Sequence, residues 1–216
     1  MKVKICGIKT EHDLAVAINA GADAVGFITD VPVDSPRKIT LPEASRLISK
    51  VPVFVTTVLV IMPENAHEAL RMIQAARPAA VQIHNDLALS ELKKIRETRV
   101  KLIKTLPVSQ DAQVDTLINR IQELSGVADA VLLDTARDGK TGGTGIPHNW
   151  EVSSKVVMNA GIPVILAGGL KPDNVRDAVK CVRPYAVDTA SGVETDGKKD
   201  VKKVKDFINN ARMNEI

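Results

Sequence analysis

Two residues of this sequence could exchange protons with a substrate, Cys6 and Asp134. Cys6 ends a short run rich in β-branched residues, so its thiol could serve as a base. The alternative for Cys6 is a small buried hydrophobic residue, the usual role of a free cysteine. Asp134 follows the apolar run 130–133, where partial burial would raise the carboxyl pKa and let the group donate a proton. The alternative for Asp134 is a helix cap or a salt bridge.

Glycine-bearing segments could supply backbone amides to a phosphate group. Residues 138–145, which begin four positions after Asp134, form a glycine-rich loop whose amides can approach a ligand. Two shorter segments follow later β-branched runs, where amides bind phosphate in many parallel barrels, and their candidate residues are Gly168, Gly169, Ser191 and Gly192. A simple turn is the alternative at each place.

Three further side chains have a chemical and a structural interpretation. Arg37 lies in a predicted loop, where its guanidinium could pair with a substrate carboxylate, although a solvated surface arginine is the default. His84 ends a predicted strand, and we favour a hydrogen-bonded core histidine there. Cys181 is expected to pack near a helix end. Neither a metal site nor a disulfide is predicted, because the cysteines and histidines lack ligand spacing.

An alternation of strands and helices must position these residues. Runs rich in β-branched residues predict eight strands, at 3–6, 24–28, 53–60, 80–84, 101–105, 130–134, 163–167 and 186–188. Helical periodicity with mostly polar starts predicts helices at 10–20, 42–49, 64–76, 90–97, 111–124, 149–159, 172–180 and 200–211. Strict alternation implies parallel strands, and closing eight of them leaves no exposed edge. The expected fold is an α/β, single-domain (β/α)8 TIM barrel over residues 1–216, with its site at the strands' carboxyl ends.

Composition excludes several classes of function. The 216 residues are 44% hydrophobic but only 2% aromatic, which leaves few rings for base stacking. The 29 basic and 26 acidic residues are interspersed, so we expect no nucleic-acid partner. The amino terminus lacks the apolar core of a secretory signal, and the longest apolar run, 51–62, is shorter than the ~20 residues of a membrane span. We therefore expect no membrane partner and a cytoplasmic location.

Seven segments, in order along the whole chain, carry a resemblance to a known family. They are Lys4-Ile5-Cys6-Gly7-Ile8, Gly26-Phe27 with Ser35-Pro36-Arg37, Val81-Gln82-Ile83-His84, Leu133-Asp134-Thr135, Gly142-Gly143-Thr144-Gly145, Ala167-Gly168-Gly169-Leu170 and Ser191-Gly192-Val193-Glu194. Each motif is short, but their joint order and spacing are specific. Together they resemble the phosphoribosylanthranilate isomerase family of tryptophan biosynthesis.

The resemblance implies an Amadori rearrangement of a small phosphorylated substrate, with no cofactor and no metal. It implies that Cys6 is the general base at the sugar's second carbon and that Asp134 is the general acid at the ring oxygen. It assigns Arg37 and Asp188 to the anthranilate part of the substrate. It implies that Gly168, Gly169, Ser191 and Gly192 bind the phosphate.

The chain departs from the family pattern at three places, one of which, Thr189-Ala190 in the last strand, is expected to have little consequence. Asn85 stands where the family often has glycine, and His148-Asn149 precedes Trp150 where the family has Phe-Asp. Asn149 can still cap the sixth helix. His148 is expected to affect turnover, through the loop over the substrate, more than the type of reaction.

Three other functions remain open at this point, two of them enzymatic. An indole-glycerol-phosphate synthase would need a catalytic lysine on an inner strand, for which Lys104 is the candidate. A sugar-phosphate epimerase would need metal-binding histidines and acids at several strand ends, and only His84 is available. A barrel that binds a phosphorylated ligand without turnover is the third. The protein is expected to be a monomer or a homodimer, the latter through apolar loops at a barrel end.

Overall fold

Eight parallel strands close into a barrel in the computed structural model, which describes residues 1–137, 140–141 and 148–213, with backbone alone at 137, 140 and 141. The strands are β1 (Lys2–Cys6), β2 (Ala24–Thr29), β3 (Thr56–Ile61), β4 (Ala80–Ile83), β5 (Lys101–Val108), β6 (Ala130–Arg137), β7 (Val164–Leu166) and β8 (Ala186–Thr189). They pair in chain order, and β1 closes the barrel by pairing with both β8 and β2. The predicted (β/α)8 barrel is confirmed.

One α-helix of the described part follows each barrel strand. The helices are α1 (Glu11–Asn19), α2 (Leu41–Ile48), α3 (Ala66–Ala76), α4 (Leu89–Arg96), α5 (Val114–Leu124), α6 (Trp150–Asn159), α7 (Val175–Val182) and α8 (Val201–Arg212). Side chains accept hydrogen bonds from first-turn amides at the starts of α1, α2, α3, α6 and α8, and the capping residues are Thr10, Thr40, Asn65, Asn149 and Asp200. The predicted cap at Asn149 is confirmed.

Strand residues alternate between two cores, because successive side chains point to opposite faces of a strand. The larger core fills the layer between strands and helices and includes Val3 and Ile5 of β1. The smaller core fills the barrel interior and includes Cys6 of the same strand. Residues at even positions of β1 therefore face the interior, and this alternation decides which polar side chains reach the mouth.

The third predicted strand, 53–60, begins too early. The observed strand starts at Thr56, and residues 53–54 form a turn in which Phe54 has a φ of 75° and is 99% exposed. The β-branched composition of the segment suggested a strand, but the turn interrupts it. Short pairings were also missed: Lys38–Ile39 with β2, Lys140–Thr141 with β6, and the hairpin of Glu194–Thr195 with Lys198–Lys199.

The prediction that Cys181 packs near a helix end is wrong, since the residue is exposed on α7. That helix buries a different face, formed by Val175, Ala178, Val179 and Val182. Among the described residues, we find no helix that combines the length and the apolar character needed to cross a bilayer.

Candidate active site

Cys6 lies inside the barrel at the carboxyl end of β1, where the site of such a fold is expected. The residue pairs with Gly26 of β2, and a Cβ atom placed on Gly26 would lie 2.8 Å from the Cys6 Sγ. The glycine therefore makes room for the thiol. Burial raises the pKa of Cys6, while the ammonium groups of Lys4 and Lys199 act in the opposite direction.

Asp134 lies near the carboxyl end of β6, and its side chain is buried. Burial first, and then the negative charge of Asp188, raises the pKa of Asp134 to about 7. The backbone amide of Thr135 and the charge of Lys4 act against this rise. A carboxyl group with such a pKa carries a proton in a large fraction of molecules at neutral pH, as a general acid requires.

A buried ion pair connects the surroundings of these two residues. The Lys4 Nζ donates to the Asp188 Oδ2 at 3.0 Å and to the Gln82 Oε1 at 3.1 Å. Gln82 in turn donates to the Thr105 hydroxyl at 3.1 Å. The pair of Lys4 and Asp188 influences the pKa of both Cys6 and Asp134, so all four groups belong to one electrostatic cluster.

Arg37 packs against the first turn of the loop after β1, since its Cδ lies 2.7 Å from a Cβ placed on Gly7. Its guanidinium makes a bidentate pair with Glu194, with Nε at 2.9 Å from Oε1 and Nη2 at 2.8 Å from Oε2. Buried Lys199 donates to the same carboxylate at 2.8 Å. Both cations hold the pKa of Glu194 low against the effect of its burial. Arg37 is thus a fixed part of the mouth and not a freely solvated surface side chain.

The glycine-bearing loops after β7 and β8 meet each other at the same end of the barrel. A Cβ placed on Gly192 would lie 2.0 Å from the carbonyl oxygen of Leu170, to which the Thr189 hydroxyl donates at 2.7 Å. A Cβ on Gly168 would lie 2.2 Å from the Thr135 Oγ1, and Gly168 has a φ of 84°. These contacts require glycine; they place the loop after β7 beside the end of β6 and the loop after β8 against the loop after β7.

The other candidates of the sequence fall in different places. His148 is buried, and its ring nitrogens lie 3.0 Å from the Thr135 Oγ1 and 2.6 Å from the Ser153 Oγ. Burial lowers the pKa of His148 to about 4, so the ring is neutral. His84, favoured as a core histidine, is only half-buried just beyond β4. Most of the predicted glycine-rich segment, 138–139 and 142–147, lies outside the described residues.

Four residues of the site were not singled out by the sequence analysis: Lys4, Gln82, Glu194 and Lys199. A signal for Lys4 was present, because Lys4 and Cys6 are two positions apart in a strand and so share a face. No local signal exists for Glu194, which meets Arg37 across 157 positions of sequence. Among the described residues, no group of three or more His, Cys, Asp or Glu side chains could hold a metal ion.

Comparisons with known proteins, by sequence and by fold, give one family. Residues 3–210 match the family model described as N-(5'phosphoribosyl)anthranilate (PRA) isomerase. The N-(5'-phosphoribosyl)anthranilate isomerase of Methanosarcina acetivorans is 52% identical, over 98% of this chain and 93% of the relative. The solved phosphoribosyl anthranilate isomerase of Thermotoga maritima has a TM-score of 0.84 and 35% identity, with 98% of each chain covered.

A second solved structure includes a bound ligand. It is a phosphoribosyl anthranilate isomerase in complex with reduced 1-(o-carboxyphenylamino)-1-deoxyribulose 5-phosphate, with a TM-score of 0.82, 34% identity and 98% of both chains covered. The fold and the ionisable groups at the barrel mouth define the present chain as a (β/α)8-barrel enzyme. The chain belongs to the phosphoribosylanthranilate isomerase family, the aldose-ketose isomerases of tryptophan biosynthesis.

Proposed function

We propose that this chain converts N-(5-phosphoribosyl)anthranilate to the 1-deoxyribulose 5-phosphate ketone, with Cys6 as general base and Asp134 as general acid. The observation that supports the proposal best is the shared electrostatic cluster of Cys6 and Asp134 at the mouth of the barrel. The reaction needs one proton donor and one proton acceptor, and it needs neither a cofactor nor a metal.

The proposed reaction begins when Asp134 donates its proton to the ring oxygen of the sugar. The bond between this oxygen and the first carbon breaks, and the nitrogen lone pair forms a cationic Schiff base. This cation acidifies the second carbon, and the Cys6 thiolate removes the proton there. The resulting enolamine becomes the ketone when its first carbon gains a proton and the hydroxyl on its second carbon loses one, and proton exchange with solvent then restores Asp134 and Cys6. Holding thiol and carboxyl close to a bound sugar replaces collisions in solution.

Arg37 and Asp188 are proposed to bind the anthranilate part. One edge of the Arg37 guanidinium pairs with Glu194, and its remaining N–H groups can donate to the substrate carboxylate. The buried Asp188 Oδ1 has no hydrogen-bond partner among the described residues, so it can accept from the anthranilate N–H. The fixed position of Arg37 orders the guanidinium before the substrate binds.

Replacing Glu194 with Gln is expected to raise KM about tenfold, because a neutral amide holds the guanidinium less firmly. The kcat value should change much less, since Glu194 touches no group that reacts. Steady-state kinetics measure both parameters. The matched control is Glu123→Gln, which removes the charge that faces Arg120 at 2.7 Å on the exposed face of α5. An unchanged or lower KM for Glu194→Gln would show that the pair with Arg37 does not assist binding.

The phosphate is proposed to bind to backbone amides of the loops after β7 and β8, with Gly168, Gly169, Ser191 and Gly192 as the binding residues. The tight contacts of Gly168 and Gly192 with neighbouring backbone support this proposal, because they fix the loop conformation. Energy from phosphate binding can orient the sugar at the distant reacting carbons.

Gly168→Ala is expected to raise KM by about tenfold or more and to destabilise the fold by about 1–3 kcal/mol, because its Cβ would collide with Thr135. Gly126→Ala is the matched control. Gly126 has a nearly equal φ of 81° but nothing within 4 Å of a Cβ, so it carries the backbone strain without the collision. Urea unfolding and KM measure the two effects. Equal behaviour of the two variants would contradict the proposed role of the loop.

The activity itself is tested with purified protein and enzymatically generated phosphoribosylanthranilate, by following the loss of anthranilate fluorescence. We expect turnover; a folded protein that binds the substrate but does not convert it would indicate a binding barrel.

The synthase alternative lacks support, because Lys104 is on the face of β5 opposite to Thr105 and so points away from the mouth. The cytoplasmic location and the choice between monomer and homodimer stay predictions; one related solved structure describes monomers generated from a dimeric isomerase of Thermotoga maritima.

A further inference from the structure

The proposed reaction gives no task to Lys4, a lysine that is only 3% exposed inside the barrel. It precedes Cys6 by two positions on β1, so both side chains lie on the interior face. Gly26 of β2 makes room for both side chains, since a Cβ on Gly26 would lie 2.8 Å from the Cys6 Sγ and 3.1 Å from the Lys4 Cε. The lysine therefore packs directly beside the thiol.

We propose that Lys4 is a positioning residue that stabilises the thiolate form of Cys6 when it is generated and fixes the place of its side chain at the barrel mouth. This inference rests on the proposed role of Cys6 as the base. Lys4 touches no reacting atom and acts only through the thiol.

The contacts of Lys4 fit this role. Its ammonium group donates to the Asp188 Oδ2 at 3.0 Å and to the Gln82 Oε1 at 3.1 Å, while its Cε flanks Gly26 together with the Cys6 Sγ. These two partners, on β4 and β8, leave one N–H donor of the ammonium group for the Cys6 thiolate. Burial alone lowers the pKa of Lys4, but Asp188 and Cys6 outweigh it and raise the pKa, so the lysine stays charged.

Three charged groups face Cys6 from the elements packed around it. Lys4 on β1 and Lys199 on the hairpin after β8 favour the thiolate, whereas Asp188 on β8 opposes it. Lys199 already pairs with Glu194 at 2.8 Å and donates to a backbone carbonyl. Lys4 packs beside the thiol against Gly26, and of the two lysines it lowers the Cys6 pKa more. Without Lys4, a thiol this deeply buried would lose its proton even less readily, because burial already raises the Cys6 pKa.

The test is a pH titration of the Cys6 thiolate by its ultraviolet absorbance in the full-length protein. A Cys181→Ser background removes the exposed thiol, and subtraction of a Cys6→Ser sample isolates the signal. We expect Lys4→Met to move the titration upward by about one pH unit or more. Lys104→Met is the matched control. Lys104 is also a buried lysine, but it faces the helices and not the barrel interior, so its replacement should leave the Cys6 titration unchanged.

Asp188→Asn provides a second test, in which the Cys6 titration should shift in the opposite direction. Removing the carboxylate that opposes the thiolate should move the titration of Cys6 downward. A folded Lys4→Met protein with an unchanged titration would overturn the inference. If Lys4→Met does not fold, the Asp188→Asn titration decides instead. The inference is overturned if that titration does not move downward. The titration needs no substrate, so a Cys6 variant that retains turnover would disprove the proposed mechanism without changing this result.

Discussion

Cys6→Ala is expected to lower kcat by about 10²- to 10⁴-fold, the usual loss when a general base is removed. The neighbouring polar groups cannot replace the thiol. Lys4 stays protonated and so accepts no proton, and Asp134 must itself donate one in the same reaction. Substrate binding should persist, because the contacts proposed for the phosphate and the carboxylate do not involve Cys6. The kcat and KM values from the fluorescence assay separate the two effects.

Cys181→Ala provides the control for this variant. Cys181 is exposed on α7, outside the barrel interior, so its replacement should leave kcat unchanged. Circular dichroism and thermal unfolding of both variants show that the fold is retained. Full turnover by folded Cys6→Ala would refute the assignment of the base, even if the overall activity were as proposed.

Asp134→Asn should cause a similar loss in kcat, about 10²- to 10⁴-fold, because an amide cannot protonate the ring oxygen. The variant should also change the dependence of kcat/KM on pH. The reactive enzyme carries a proton on Asp134, with a pKa of about 7, and none on Cys6, whose pKa is raised by burial. Between the two pKa values, a constant minor fraction of molecules has this arrangement.

The sign of the pH dependence follows from these two groups. At pH below about 7 both groups hold protons, so kcat/KM of the parent enzyme should fall as pH falls. At pH above the thiol pKa both are deprotonated, and kcat/KM should fall again. In Asp134→Asn, the break near pH 7 should disappear, and the residual rate should rise with pH until the thiol titrates.

Asp129→Asn is the control for the carboxyl variant. Asp129 immediately precedes β6 at the opposite end of the barrel, where it pairs with Arg96 and with Lys101 at 3.0 Å. Its loss should reduce stability but leave the break near pH 7 in place. A parent-like break in Asp134→Asn would assign that titration to another group and contradict the proposed acid.

The order of strands and helices could be predicted from sequence because each element has a local pattern. Runs of β-branched residues and helix caps such as Asn149 depend on neighbours in sequence, and the barrel follows from their alternation. The local pattern failed where a turn has β-branched neighbours. Val53 and Phe54 look like strand residues, but nothing covers them among the described residues, and they are 80% and 99% exposed.

The chemistry of the site was less accessible, because its contacts cross the barrel. Lys4 and Asp188 are 184 positions apart in sequence, and Arg37 and Glu194 are 157 apart. Strand ends indicated where Cys6 and Asp134 would lie, but the groups that tune them depend on barrel closure. The residues next to Lys4 in sequence do not indicate that it is buried beside Asp188. That contact depends on the register of β1 with β8.

A crystal structure of this protein with reduced 1-(o-carboxyphenylamino)-1-deoxyribulose 5-phosphate tests the central claim most directly. The account predicts that the Cys6 Sγ lies within roughly 3.5 Å of the second sugar carbon and that the Asp134 carboxyl hydrogen-bonds to the oxygen derived from the ring. The phosphate should lie on the loops of Gly168 and Gly192. A ligand seated in the mouth with either Cys6 or Asp134 out of reach of these atoms would contradict it.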